Sequence, residues 1–467
     1  MPRVASADTN RHGSGFILAL AILSAISYLG LALAGDLRGE LPWFLGAYAG
    51  LTGGMAAAWW LCRKGGRHPL RMALIAGLVF RLLAAWGDPM LSDDLYRFLW
   101  DGRVQEAGIH PFAHAPLDEE LAELRDDDWA RINHPELRTI YPPLAEMFFL
   151  LLAFLGSGPT LLKLSVGLLD FGVCLLLLHM LDVRGFPRPR VVLYAWSPLA
   201  ILETAGSGHI EPLGTLLVLV ALTFLRREHG IAAGGALAGA VQAKLMPLIL
   251  LPMVLAHRLR QVGRAGALQA LGAFTLVFVA LLLPYALTGP AVGSGLFAYG
   301  ERWEHNAFLY AGLEGLLREF DPSSLLKQLI GWLKSTFGGS FWDALYPYVW
   351  PREVARILVA AAAGGLALLI AWKGRNPERQ ALTTLGVVLL LSPTVHPWYV
   401  LWVLPLACLL VSRGWLWLAL TVPVSYIGWE TDVPWSIRWL QYGPALVLLA
   451  VEFFESKLRR SGSPQRL

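Results

Sequence analysis

Four stretches of this chain, residues 16–34, 43–61, 267–287 and 354–372, run on with at most one charged side chain each. An apolar run of roughly 18 or more residues is long enough to cross the hydrocarbon core of a bilayer. Lipid offers no partner to backbone amides and carbonyls, so such a segment must close its hydrogen bonds internally as a helix. With 56% hydrophobic and only 15% charged residues, and a mean hydropathy of +0.53, the sequence lies outside the range of soluble domains. The expectation is an all-α, polytopic transmembrane helical bundle with about 12–14 membrane helices plus juxtamembrane ones.

The first apolar run ends in Ala32-Leu33-Ala34, which mimics a signal-peptidase site. It is longer than the usual apolar core of about 7–15 residues, so it reads as a retained first helix. Cys62, Cys174 and Cys408 fall in or beside separate apolar runs, with neither disulfide nor metal-ligand spacing. A net charge of +4 and the lack of a basic, aromatic-rich patch give no sign of nucleic-acid binding.

Lysine and arginine concentrate in alternate connections: "CRKGGRHPLR", "DVRGFPRPR", "RREHG", "HRLRQVGR", "WKGRNPER", Arg413 and both termini. These hold 22 of the 38 basic residues, and the positive-inside rule assigns such loops to the cytoplasm. They all fall on one face if two conditions hold. Residues 140–156 must lie along the interface as a short helix started by Pro142-Pro143, and residues 231–256 must be a broken pair turning near Lys244. The alternative, with 140–156 as a true span and 231–256 as one long helix, moves two basic loops outside. The preferred topology puts both termini in the cytoplasm and leaves the outer face of a cytoplasmic membrane the remaining connections. In domain terms, 1–68 contributes two extra helices, 69–288 a core with an outer loop at 88–158, 289–351 a long outer loop, and 352–467 the last helices.

Polar chemistry gathers on that outer face. Residues 88–139 hold 13 of the 34 acidic residues. Asp126-Asp127-Asp128 reads as a solvated rim, whereas Asp93-Asp94 sits among Tyr96, Phe98, Trp100 and Phe112 with Arg97 and Arg103 nearby. A half-buried carboxylate at headgroup depth suits a general base, provided it comes within hydrogen-bond reach of a hydroxyl. "GSGHIEP" places His209 and Glu211 in a tight turn. Lys244, at the turn of a re-entrant pair, is costly without an anionic partner; a phosphate suits it, and snorkelling to the interface is the competing reading. His396, between Pro393 and Pro397 and followed by Trp398-Tyr399, can donate to a phosphate or sugar, or belong to an interfacial belt. Trp303, His305 and Asn306 in "YGERWEHNAF" offer stacking and amide contacts to a ring. Arg81 and Asp170 lie inside spans and read as a structural pair.

The ordered set "SDDLYRFLWDGRVQEAGIHPF", "YPPL", "GSGHIEP", "QAKLMPLILLP", "ERWEHN" and "HPWYVLW", from about Arg81 to Trp402, resembles the GT-C superfamily of polytopic glycosyltransferases. It is most similar to the GT87-like, polyprenol-phosphate-mannose-dependent branch. The resemblance implies that Asp93 is the catalytic base with Asp94 as its neighbour, and that an interfacial helix begins near Tyr141. Two departures stand out. The acidic loop follows the third helix rather than the first, so that two helices are added in front, and Leu95 replaces the second Asp of an Asp-x-Asp. The second departure leaves the choice between Asp93 and Asp94 open and argues against a metal. What the resemblance implies is transfer of a sugar, a hexose such as mannose, from a polyprenyl-phosphate donor to a glycan or glycolipid hydroxyl. Inversion at the anomeric carbon and no metal cofactor go with it. Lys244, Arg97, Arg103 and His396 would serve the phosphate. His209, Glu211, Tyr96, Tyr141, Trp303 and Asn306 would serve the sugar or acceptor. A transporter or lipid flippase is the rival class; it accounts for Arg81, Asp170 and Lys244 but not for polar groups gathered on one face.

Overall fold

The computed structural model describes residues 4–461, except 290–291, 293–294, 296–299, 301–302 and 430. Much of the start of the long 289–351 loop, and the end of the basic tail, therefore lie outside the described residues. The described chain is 78% helix with no strands; an isolated bridge joins His305 to Thr394.

Helices α1 (Val4–Ala34), α2 (Leu41–Lys64) and α3 (Arg67–Ala84) open the chain. A helix α4 (Asp94–Glu106) and a loop lead to α5 (Pro143–Phe154) and α6 (Pro159–Val183). The chain then passes through short helical turns into α7 (Glu211–Arg226), α8 (Gly230–Ala243), α9 (Leu251–Val262) and α10 (Arg264–Ala286). The long loop carries α11 (Leu309–Phe320) and α12 (Ser323–Phe337). Beyond it come α13 (Pro351–Lys373), α14 (Pro377–Leu391), α15 (Leu404–Leu410), α16 (Arg413–Thr421) and α17 (Trp435–Ser461).

Among the described residues, five segments are long and apolar enough to cross a membrane: Ser14–Ala34, Pro159–Val183, Arg264–Ala286, Pro351–Lys373 and Trp435–Leu458. Much of their surface faces outward, with Leu33, Leu276 and Trp372 largely exposed. Apolar side chains on that scale are stable only against lipid tails. The expected figure of about 12–14 membrane helices also counts less apolar helices, such as the unbroken 24-residue α2 that carries residues 43–61, and apolar stretches that the fold divides into shorter pieces. Proline and glycine interrupt them: the apolar stretch after Val192 is divided at Ser197-Pro198 and again at a π-turn, Leu202–Gly206.

Both conditions on the topology have structural counterparts. Helix α5 has 12 residues, or about 18 Å at 1.5 Å per residue, too short for a hydrocarbon core of about 30 Å. It packs along α4, where a Cβ on Gly102 would lie 2.4 Å from the Phe149 carbonyl oxygen. The 231–256 segment breaks where expected, with α8 ending at Lys244 in extended backbone. Arg81 and Asp170 do pair, the Arg81 Nε donating to Asp170 at 2.7 Å while the Tyr194 hydroxyl donates to its other oxygen at 2.5 Å. Each charge is thus compensated, as burial of an ion pair requires. The cysteines are free and buried.

Helices α6, α7, α8 and α14 share one arrangement. At one end Arg184 and Arg226 converge on the buried Glu378 at 3.8 and 3.6 Å. At the other end the same helices present Glu211, Lys244 and the turn leading to His396. The candidate site lies at that second end.

Candidate active site

A cavity of about 410 Å³ opens at the start of α4. Its walls come from widely separated segments: Asp93, Asp94 and Arg97; Asn133 to Tyr141; Lys244; Trp303 to His305; His396 to Tyr399; and Trp429 with Thr431.

Asp93 occupies the N-cap of α4, where an aspartate commonly accepts from the helix's own first amides. Here its side chain makes no capping bond. Both oxygens instead accept from Arg38, at 2.6 and 3.0 Å. Asp94, the first helical residue, accepts from the Asn133 amide through Oδ1 at 2.8 Å. Its Oδ2 points toward His209, whose Nε2 is 3.9 Å away.

His209 is buried, and its Nδ1 is 3.0 Å from the Glu203 carbonyl oxygen. A carbonyl only accepts, so Nδ1 carries the hydrogen and Nε2 faces Asp94 without a hydrogen-bond partner. Glu203 accepts from the Tyr426 hydroxyl at 2.9 Å. The His209 ring begins a stack of four: 3.9 Å to Trp398, 4.3 Å from there to His396, and 4.7 Å on to His305. Burial, reinforced by His305, His209 and Lys244, holds the His396 imidazole well below its ordinary range. Burial and then the Arg438 charge bring His305 down to about 4. Near neutral pH both rings are therefore uncharged hydrogen-bonding groups rather than cations.

Lys244 lines the cavity, forms an ion pair with the buried Glu211, and lies 5.2 Å from the Tyr399 ring centroid. Its expected anionic partner is thus a protein carboxylate, with the lysine side chain still a quarter exposed. Arg97 also lines the cavity, but donates to Asp101 at 2.8 Å and to the Leu137 carbonyl at 2.7 Å. Beneath it, burial and then the nearby Asp101 push the Glu146 carboxyl well above its usual range. Trp303 packs edge-on against His134 at 4.6 Å, and Tyr141 forms part of the opposite wall. Burial alone would raise the Glu304 carboxyl, but hydrogen bonds from Arg352 and Tyr310 outweigh it and hold the group low.

Five expected site residues stand apart from the cavity wall. His209 and Glu211 are buried behind it, reaching it only beside Asp94 and through Lys244. Arg103 is taken up by Asp126 at 2.5 Å. Asn306 is fully buried and donates to Gln441 at 2.8 Å, so its amide braces the loop rather than facing a ring. Tyr96 is buried behind the wall, with the Arg131 guanidinium 4.3 Å over its ring. Side chains that could group around a cation, His114, Asp118 and Glu120, also lie off the cavity lining.

Sequence reading missed Arg38, Asn133, His134, Glu203 and Trp429. Arg38 left a trace: it is a lone arginine in the short "GDLRGE" connection, on the side that the charge rule leaves poor in basic residues. The others carry no local signal.

The model of Glycosyltransferase family 87 matches residues 139–393. No curated protein and no solved structure matches the chain. The matched region contains Tyr141, His209, Glu211, Lys244 and Trp303, while Asp93 and Asp94 precede it. It covers more than half of a chain whose described residues are all-helical and include five membrane-length apolar helices, and this protein therefore belongs to glycosyltransferase family 87, a GT-C-type family of membrane glycosyltransferases.

Proposed function

We propose that the protein transfers a hexose such as mannose from a polyprenyl-phosphate sugar to a hydroxyl of a glycan or glycolipid. The reaction would run with inversion and without a metal, at the outer face of the cytoplasmic membrane. One observation carries the reading: a single cavity joins a carboxylate pair, a lysine and a wall of aromatic rings at one end of membrane-embedded helices. A lipid-linked donor reaches such a cavity laterally, its phosphate at headgroup level.

The acceptor O–H loses its proton to the Asp93/Asp94 pair. Its oxygen forms the new bond to the anomeric carbon, and the bond from that carbon to the phosphate oxygen breaks on the opposite side. The electron pair leaves with the lipid phosphate, where Lys244 supplies positive charge and neutral His396 a hydrogen bond. Groups placed where charge develops are the most effective kind of electrostatic catalyst. Trp303 and Tyr141 offer faces to the sugar.

Purified protein in nanodiscs, given radiolabelled polyprenyl-phosphate hexoses and a membrane extract, should label a glycan or glycolipid. Transfer only from nucleotide sugars, or from no activated sugar, would overturn the reading.

A further inference from the structure

We propose that Arg38 is a positioning residue of this active site, so that the N-terminal helical pair α1–α2 is part of the catalytic machinery. The inference rests on the transfer reaction proposed above, and concerns a residue outside the region matched by the family model.

Arg38 is held from both sides. Its Nε and Nη2 donate to Asp36 at 2.9 and 2.6 Å, and its Nη1 and Nη2 donate to Asp93 at 2.6 and 3.0 Å. The guanidinium also lies 5.7 Å from the centroid of Trp429, a cavity wall. The backbone fixes the same junction. The Leu37 amide donates to the Met90 carbonyl at 2.8 Å, and the Met90 amide to the Gly206 carbonyl at 3.2 Å. Leu37 is itself fully buried. The connection between α1 and α2 is therefore docked onto the segment that leads into α4.

Asp93 forgoes its own helix cap to face this arginine. A planar fork binding a carboxylate through two bonds fixes its orientation as well as its position. The clamp thereby gives two adjacent carboxylates different tasks. Asp93 is oriented and charge-compensated, whereas Asp94 Oδ2 accepts no hydrogen bond among the described residues and stands beside the orphan Nε2 of His209. Asp94 is the member left to take the acceptor proton, and Arg38 acts through Asp93 to hold it there.

The test is a double-mutant cycle in nanodiscs, begun once wild type transfers label from a polyprenyl-phosphate hexose. A wild type that transfers nothing counts against the function proposed above, not against Arg38. R38Q should lower kcat about 10- to 100-fold with little change in donor KM, and R38K should recover part of the loss. R38Q combined with D93N should be no worse than D93N alone. Hydrogen exchange, which needs no donor, should show faster exchange at the first amides of α4 in R38Q, with global melting unchanged. Full activity in R38Q would overturn the inference. So would additive losses with a raised donor KM, which would make Arg38 a phosphate ligand. Unfolding of both R38Q and R38K would overturn it too, by reducing Arg38 to a stabilising contact.

Discussion

At the scale of single residues, the acidic pair was legible in the sequence as a candidate, but the different partners of its two members were not. Adjacent aspartates among aromatics mark a candidate site, yet only the fold brings Arg38 and Asn133 to one member each. Positioned general-base catalysis contributes about 10²–10⁴-fold. Asp94→Asn is therefore expected to lower turnover by that order while donor binding persists. Asp93→Asn should cost less, and steady-state kinetics of the two variants checks the ranking. A dead Asp93→Asn beside an active Asp94→Asn would reverse it. Lys244 was legible because an intramembrane cation demands a partner; Glu211 as that partner was not, since it lies on a different helix. Lys244→Ala should raise donor KM at least tenfold, and Lys244→Arg should keep part of the affinity because charge survives in a different shape. Unchanged donor KM in Lys244→Ala would assign the lysine to the Glu211 pair alone. His305 gives a pH prediction. Its imidazole is brought down to about 4 in the fold, against about 6.5 in an unfolded chain. The unfolded state thus binds the proton more readily, so stability is full above about pH 6.5 and falls as pH drops toward 4. Thermal melts between pH 7 and 4.5 should show a loss on the order of 2 kcal/mol that is absent in His305→Asn.

At the scale of elements, apolar length and its interruptions were the readable quantities. Residues 140–156 were too short and too proline-bound to span, and they fold as the 12-residue α5. The glycine-rich stretch before Lys244 breaks at that residue because extended backbone there ends α8. Hidden from sequence was the closeness of α4 to α5, which depends on a single missing Cβ at Gly102. Gly102→Ala should force the two helices apart and cost about 1–3 kcal/mol, in the manner of an overpacked core. Melting in detergent measures it, and the cavity wall formed by Tyr141 should shift with α5. An unchanged melting temperature would mean that the Phe149 turn relaxes freely. Also hidden was the retirement of Arg103 and Asn306 into structural bonds. Residue type shows what a side chain can bind, but not which partner reaches it first.

At the scale of the whole molecule, charge placement predicts a two-faced topology. The structure sets Arg184 and Arg226 at the ends of α6 and α7 remote from the cavity, which is the polarity such a topology needs. Single cysteines at Asp118 and Arg188 should label from opposite sides of the membrane, with 118 outside. Labelling of both from the outer side would refute the arrangement.

The cavity wall also has a consequence for biogenesis. It begins with Asp93 and closes with Trp429 and Thr431, while Asp93 is held by an arginine from the first connection of the chain. Early helices must therefore wait in the bilayer for late ones, a long-range pairing that forms slowly. A chain arrested in insertion before its final helices would have its clamp and its carboxylates but no closed site. Such intermediates are expected to be inert, so that glycosyl transfer would begin only once the late helices have packed.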